Sequence, residues 1–198
     1  MKGIVEIIGD VVKEMSGNLT IVMPADIEND RFEEVKNPEL NYIFGSAQYV
    51  KDKLDEYSKV PSTSERKFPL IVLFCPVTEK RDSPDYYSKV SLNILIACSS
   101  TKCWSNERRL CASFINILRP IYDRLIEVIR NDVRFDIEYD NIIPHDYSEN
   151  YSYGRYGAYT ESGEEVSEPI DAINIRSMEL KKLTLSLSCS GLRQMSLC

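Results

Sequence analysis

The sequence predicts a single α+β domain over residues 1–198, with a mainly antiparallel β-sheet that a long kinked helix and an N-terminal helix cover on one face. Two observations predict this class. Short β-type runs and helical repeats alternate without the regular spacing of βαβ units. In addition, the runs at 68–75 and 89–98, and those at 133–139 and 170–189, are arranged as hairpins, which favours antiparallel pairing.

Composition and charge exclude several classes of protein. The chain is 43% hydrophobic and 28% charged, as in ordinary globular domains. Its 31 acidic and 24 basic residues give a net charge of −7, which disfavours wrapping nucleic acid or binding an anionic membrane. No apolar run is long enough to span a bilayer. Glu6 and Asp10 interrupt the apolar start, so we expect no signal peptide and a protein that stays in the cytosol where it is made.

The first third of the chain predicts two helices and two short strands. Apolar residues recur at helical spacing over 3–15, and Gly17-Asn18 ends that helix. Leu19–Met23 is a short strand closed by Pro24, and the acidic segment 24–40 is predicted as a surface loop. A second short strand at 41–44 precedes a helix over 46–59.

The middle of the chain predicts the centre of the sheet. The run 68–75 follows a linker at 61–67 and is continuously apolar, which is typical of a strand buried on both faces. A polar loop at 76–87 leads to the strand 89–98, whose residues alternate between apolar and polar in its first half.

The longest helix is predicted over 105–130. Ser105 is a plausible N-cap, because its hydroxyl can accept a hydrogen bond from the first turn. Pro120 lies in the middle of the apolar pattern, so we expect a kink or two abutting helices there. A half-exposed strand over 133–139 follows.

The last ordered region is predicted as a long bulged ribbon over 170–189, followed by a frayed tail at 190–198. Its apolar residues change phase twice, and each change requires a bulge or a break, because side chains alternate along a strand. The three phases contain Ile173 and Ile175, then Met178 and Leu180, then Leu183, Leu185, Leu187 and Cys189.

The segment 140–168 is rich in tyrosine and acidic residues. Its seven carboxylates and single cation, Arg155, give it a net charge of −6. We predict a long surface excursion outside the sheet and helices, and long ordered loops in compact domains usually have a function. Its tyrosines are Tyr147, Tyr151, Tyr153, Tyr156 and Tyr159.

Cysteine and histidine usage disfavours metal and nucleophilic chemistry. None of the six cysteines forms a CxxC pair, so we expect no zinc site. Without a signal peptide we expect no structural disulfides. Cys75, Cys98 and Cys189 end apolar runs and are predicted to be buried. His145 is the one histidine, and we interpret it as a loop residue with one hydrogen bond. With no phosphate loop, HExxH or GxSxG motif, we predict no cofactor and no catalytic residue.

Five short stretches occur in order along the chain and carry a family resemblance. They are Asn-Tyr-Ile-Phe-Gly at 41–45 before a helix, Lys-Phe-Pro-Leu-Ile-Val-Leu-Phe at 67–74, Ile-Leu-Arg-Pro-Ile-Tyr at 117–122, Ile-Pro-His at 143–145 and Ile-Asp-Ala-Ile-Asn-Ile at 170–175. With the order of helices and strands, they make most of the chain resemble the tail-completion and head–tail connector proteins of tailed bacteriophages, the tail-terminator-like group.

The resemblance implies a structural virion protein at the head–tail junction, assembled in the host cytoplasm and without enzymatic activity or cofactor. Such subunits form a closed six-fold or twelve-fold ring that contacts the portal or an adjacent connector ring and tail proteins. Genomic DNA passes through the channel without sequence-specific binding, and an acidic subunit suits that passage because it repels phosphate. The segment 140–168 departs from a minimal terminator.

Three interpretations of the tyrosine-rich segment remain open from the sequence. As a subunit interface, it would use Tyr147, Tyr151, Tyr153, Arg155, Tyr156 and Tyr159. As a solvated loop, it would have no partner. As part of a soluble enzyme or small-ligand-binding domain, it would supply a site with His145 and Asp146.

Overall fold

The computed structural model has the predicted α+β fold and describes residues 2–26, 31–59, 67–81, 87–137, 142–156 and 168–184. The helices are α1 (Ile4–Met15), α2 (Ala47–Lys59) and α3, which joins Asn106–Arg109, Leu110–Leu118 and Arg119–Asn131. The strands are β1 (Thr20–Asp26), β2 (Arg31–Lys36), β3 (Asn41–Gly45), β4 (Leu70–Phe74), β5 (Thr78–Lys80), β6 (Tyr87–Ser99), β7 (Phe135–Asp136), β8 (Asp146–Tyr156) and β9 (Glu168–Leu183). Within the described residues, no helix is both long and apolar enough to cross a membrane.

Seven strands form the main sheet, in the order β3-β4-β6-β9-β7, with β5 paired to β6 and β8 paired to β9. The pairing is antiparallel except between β3 and β4, which are parallel. The predicted mainly antiparallel sheet and the two predicted antiparallel pairings are therefore confirmed. Among the described residues 133–137 of the predicted strand, only Phe135 and Asp136 pair with β9, so the prediction is wrong for 133, 134 and 137, and 138–139 lie outside the described residues.

Both faces of the sheet are buried. Ile71 and Leu73 of β4 belong to the larger core, together with residues of α1 and α3, so the predicted helical cover of this face is confirmed. Leu70 and Val72 alternate with them and point to the other face, where they join residues of α2 in a second core. This alternation explains why β4 needs an uninterrupted apolar run, as predicted.

The long helix α3 begins and changes character where the sequence predicts. The Ser105 hydroxyl accepts a hydrogen bond of 3.3 Å from the Arg108 N–H, which confirms the N-cap. Leu110–Leu118 is π-helical, and the Arg119 N–H donates to the Phe114 carbonyl, five residues back. Pro120 follows immediately and has no N–H, and the two abutting helical segments expected here are the π-helical Leu110–Leu118 and the α-helical Arg119–Asn131.

The prediction of a surface loop over 24–40 is wrong. Arg31–Lys36 pairs with β1 as a separate two-stranded antiparallel sheet, and Thr78–Lys80 in the predicted loop 76–87 pairs with β6. Charged side chains occupy most positions of both strands, so neither carries an apolar alternation that predicts a strand. The Phe32 ring lies 4.8 Å from the Arg108 guanidinium, and this cation–π contact connects β2 to α3.

The bulged ribbon is confirmed at the first predicted phase change. Arg176 and Ser177 of β9 lie opposite the single residue Asn93, whose side-chain oxygen accepts a hydrogen bond of 3.1 Å from the Ser177 N–H. Ser177 has a φ of 52°, as expected where an extra residue is inserted into a strand.

The second predicted phase change does not occur at Leu183. Lys182 keeps the phase of Leu180 and is buried, because its ammonium lies 3.2 Å from the Glu79 carboxylate of β5. Burial alone would raise the pKa of Glu79, but hydrogen bonds from Ser88, Arg81 and Lys182 outweigh it and lower the pKa to about 2. A buried lysine is thus paired with a carboxylate that stays ionised. The predictions for 61–66, 185–189 and 190–198 fall on residues outside the described ones.

The Glu79 carboxylate predicts a pH-dependent loss of stability. Because its pKa falls from 4.5 in the unfolded chain to about 2 in the fold, its stabilising contribution is complete above pH 4.5 and is lost as the pH falls toward 2. We expect Glu79→Gln to lower the melting temperature at pH 7 and the difference from the wild type to shrink between pH 4.5 and pH 2. Glu56→Gln, in an exposed ion pair with Lys53, is the control and should change little at any pH. A difference for Glu79→Gln that does not vary with pH would contradict this assignment.

The central position of β4 predicts that Val72→Asp unfolds the protein. Val72 is fully buried, and an unpaired buried carboxylate costs several kcal/mol, a large share of a total stability of about 5–15 kcal/mol. Val133→Asp is the matched control, because Val133 is 85% exposed and the same charge remains in water. Circular dichroism melts of both variants test the prediction, and a folded Val72→Asp protein with an unchanged melting temperature would contradict it.

Candidate assembly surface

The tyrosine-rich segment begins as a strand of the sheet. The prediction that 140–168 lies outside the sheet is therefore wrong for 146–156, which form β8 and pair with β9. A signal for this strand is present in the sequence, since Tyr147, Glu149, Tyr151 and Tyr153 alternate with small polar residues. The high acidic content of the whole segment obscures that alternation. Residues 157–167, including Tyr159, lie outside the described residues.

Strand β8 lies at an edge of the sheet. Among the described residues, nothing pairs with its outer side. Asn150 lies opposite Ala172 and Gly154 opposite Ile170, so three residues of β8 face the single residue Asp171. Ser152, in the middle of this bulge, has a φ of 53°. Bulges at edge strands interrupt the straight backbone edge and re-aim side chains.

The Asp171 carboxylate determines the shape of this bulge. It is fully buried, and it accepts hydrogen bonds of 2.9 Å from the Ser152 N–H and 2.8 Å from the Ser113 hydroxyl. The Arg109 guanidinium donates to it at 2.9 Å and is itself 6% exposed. Arg109 also donates to the carbonyl oxygens of Thr101 and Trp104, at 3.0 and 3.3 Å. One ion pair therefore connects β9, the bulge of β8, helix α3 and the turn before α3.

The Cys98 thiol lies next to this pair and stays protonated at neutral pH. Burial raises the pKa of Cys98 to about 12, and the negative charge of Asp171 acts in the same direction. Cys98 is buried as predicted, whereas Cys75 is half-buried and Cys189 lies outside the described residues. The described cysteines are free thiols, and no three His, Cys, Asp or Glu side chains in the described residues come together as metal ligands would.

The face of β8 that meets α3 carries an ordered polar cluster. Arg119 of α3 donates to both oxygens of Glu149, at 2.7 and 3.1 Å, and the Tyr147 hydroxyl donates to Glu149 at 2.6 Å. The bond from Arg119 lowers the pKa of Glu149, so this carboxylate is ionised at neutral pH. The Tyr122 ring meets the Tyr147 ring edge-on at 4.8 Å between centroids. These contacts hold the Tyr147 ring in one orientation.

Two tyrosines of β8, Tyr147 and Tyr151, each have one side of the ring packed against the protein and another side exposed. Tyr151 packs on the buried Phe114 ring at 4.4 Å, yet 36% of it stays exposed. Tyr147 is 40% exposed, Tyr153 is 45% exposed, and Ile115 of α3 is 49% exposed. Rings that are already ordered lose little entropy when a partner covers them, which is the property of an interface anchor.

The sequence-predicted interface residues are brought together only in part. Tyr147, Tyr151 and Tyr153 lie on β8, and Arg155 and Tyr156 continue the same strand opposite Pro169 and Glu168. Arg119 contributes to this surface from α3, and the exposed Ile115 lies four positions before it on the same helix. Both were missed, because the sequence does not indicate which helix face meets β8. We call the surface formed by Ile115, Arg119, Tyr147, Tyr151 and Tyr153 the β8 surface.

His145 makes two hydrogen bonds, so the prediction of one is wrong. Its Nδ1 lies 2.7 Å from the Ile143 carbonyl oxygen and must donate, because a carbonyl only accepts. Its Nε2 lies 2.8 Å from the Tyr122 hydroxyl, so both ring nitrogens have partners. Asp146 lies on β8 opposite Arg176. This arrangement supports a role for His145 in joining α3 to the strand rather than in proton transfer.

No protein-family model matches the chain, and no curated protein is significantly similar to it.

The buried ion pair predicts that Asp171→Asn destabilises the protein and loosens the β8 surface. Removing one member of a buried pair costs about 3–5 kcal/mol, because the other charge stays buried without a counter-charge. Glu127→Gln is the control, since Glu127 is 58% exposed in its ion pair with Arg124 and should contribute under about 1 kcal/mol. Chemical denaturation measures both changes. Hydrogen exchange at Ser152 should also rise in Asp171→Asn alone, and equal effects of the two substitutions would contradict the prediction.

Proposed function

We propose that the protein is a structural subunit of a tailed bacteriophage that forms a ring at the head–tail junction. The observation that carries the proposal is the β8 surface. It combines half-exposed aromatic rings, a fixed arginine–glutamate pair and an edge strand with an open side. Tyrosine, arginine and isolated apolar side chains in such a setting are typical of protein–protein interfaces.

A ring needs two different complementary surfaces on each subunit, and the opposite edge of the sheet supplies a second one. Strand β3 ends the sheet on that side, where Phe44 is 51% exposed and Tyr49 of α2 is 47% exposed. Gly45 between them has a φ of 151°, and a Cβ there would lie 2.7 Å from the Tyr49 ring. Two aromatic surfaces at opposite edges suit a head-to-tail contact, which closes into a ring when the rotation between subunits closes.

The charge of the chain suits a DNA channel. A subunit with a net charge of −7 that is repeated around a ring repels the phosphates of passing DNA, so the DNA is less prone to adhere to the wall. In this proposal the ring has six or twelve copies and contacts the portal or an adjacent connector ring on one side and tail proteins on the other. It is assembled in the host cytoplasm and has no catalytic step.

The proposal predicts that the β8 surface is needed for ring formation. We expect the triple variant Tyr147→Ser, Tyr151→Ser, Tyr153→Ser to remain folded but to sediment as a single 22.8 kDa chain where the wild type forms a ring of six or twelve copies. Each well-placed interface aromatic contributes about 2 kcal/mol, so losing three should dissociate the ring. In phage particles, the variant should give packaged heads without attached tails.

Two further variants separate the two edges: the double variant Val133→Ser, Ile142→Ser and the single variant Phe44→Ser. Of these, Phe44 alone belongs to a proposed interface, so Val133→Ser with Ile142→Ser is the neutral control, and Phe44→Ser should weaken the ring as the β8 variant does. Negative-stain images and sedimentation at high protein concentration measure ring formation in the β8 variant, in Phe44→Ser and in the neutral control. A wild-type chain that stays monomeric alone and with portal rings would overturn the proposal, as would intact necks in particles made with the β8 variant.

A further inference from the structure

The end of the sheet formed by β5, β6 and β9 carries three lysines in one row. Lys80 lies directly opposite Lys89, and Lys89 lies directly opposite Lys181. Residues opposite each other on neighbouring strands point to the same face with Cβ atoms about 5 Å apart, so three lysine side chains extend from the same face of the sheet. Like charges in this arrangement repel and destabilise the sheet. A bound anion would remove that repulsion.

The opposite face of the same strands carries a lysine with a purely structural role, Lys182. Lys182 is buried there, and Glu79 neutralises it at 3.2 Å. In the lysine row, by contrast, Lys80 and Lys89 are exposed and form no ion pair with any residue that the structure describes. Asp136 lies opposite Lys181 at the end of the row, and Glu179 also lines the groove. The row is a local positive site in an acidic chain.

The lysine row forms one side of a groove of about 520 Å³. Ile142 and Pro144 contribute an apolar wall, and Thr78 and Ser91 contribute hydroxyls. The wall is fixed in place, because Ile143 is buried in the main core and the Pro144 carbonyl accepts a hydrogen bond of 3.0 Å from the Glu179 N–H. Small-molecule sites usually enclose about 300–1,000 Å³ and combine apolar walls with a few polar groups.

We infer that this groove binds an organic phosphate of nucleotide size, with the phosphate on the lysine row and the base or another apolar group against Ile142 and Pro144. Lysine ammonium groups bind phosphate as point charges, each with three donors. Two sources share this chemistry, namely a free nucleotide and a nucleotide unit of a nucleic acid strand. The inference does not depend on ring formation, because the groove lies within one chain.

The test measures binding of three probes to the full chain by isothermal titration calorimetry: inorganic phosphate, adenosine monophosphate and a short single-stranded oligodeoxyadenylate. The variant Lys80→Gln, Lys89→Gln should weaken binding of the two adenine probes about ten-fold, which corresponds to one lost charged hydrogen bond. The control Lys13→Gln, Lys51→Gln removes the same charge from two exposed helical lysines and should leave binding unchanged. Tighter binding of the monophosphate identifies a free nucleotide as the source, and tighter binding of the oligonucleotide identifies a strand.

Two further measurements test the lysine repulsion and the apolar wall separately. Without a probe, Lys80→Gln, Lys89→Gln should melt at or above the wild-type temperature, because the substitutions remove repulsion. Ile142→Ser should weaken binding of adenosine monophosphate and leave inorganic phosphate unaffected. The inference is overturned if neither adenine probe binds saturably, or if the control variant loses as much affinity as the groove variant. It is also overturned if Ile142→Ser leaves binding of the monophosphate unchanged.

Discussion

The buried ion pair between Arg109 and Asp171 is the constraint on which the arrangement of β8, β9 and α3 depends. Taking two charges out of water costs several kcal/mol for each ion, and good geometry with additional hydrogen bonds is needed to offset that cost. Here the carboxylate has three donors and the guanidinium has three acceptors, drawn from four parts of the chain. The pair therefore specifies which turn of α3 faces β9 and where β8 bulges.

The ion pair between Arg109 and Asp171 also fixes the position of the exposed side chains of β8. Because the Ser152 N–H turns inward to Asp171, the bulge divides the strand between Tyr147 and Tyr153. From α3, Phe114 packs on the Tyr151 ring, Tyr122 packs on the Tyr147 ring, and Arg119 forms an ion pair with Glu149. An edge strand with this bulge and these charges is a poor template for unspecific strand pairing. It still presents aromatic area to a shaped partner, which is the combination that a closed ring requires.

Lysines occur in two contrasting settings a few residues apart. Lys182 is neutralised in the sheet by Glu79 and contributes to folding. Lys80 and Lys89 occupy the other face, where adjacent strands place them side by side beside a groove. Neighbouring like charges destabilise the protein when no ligand is bound, and such locally unfavourable arrangements are frequent at ligand-binding sites. The sheet thus combines an edge suited to a protein neighbour with a groove suited to a phosphate.

Period and capping make much of the fold predictable from local sequence. The apolar run of β4, the alternation in β6 and the helical repeats of α1 and α3 each specify an element without help from distant residues. The same holds for the Ser105 cap, the change at Pro120 and the first bulge of β9, where Ile175 and Met178 change phase. The strands β2 and β5 could not be predicted, because their charged residues conceal a pairing that tertiary contacts stabilise.

The α+β class, the central strands and the tyrosines between Asp146 and Tyr159 can be identified without the structure. Three features depend on contacts between distant segments: Asp146–Tyr156 joins the sheet, Lys182 is buried in place of Leu183, and Arg119 lies beside Glu149 and Tyr147. The difference depends on how far apart in the sequence the interacting residues lie. Periodicity and caps depend on residues within a few positions of one another. A buried charge is tolerated only when a partner from a distant segment meets it, as Asp171 meets Arg109 across 62 positions.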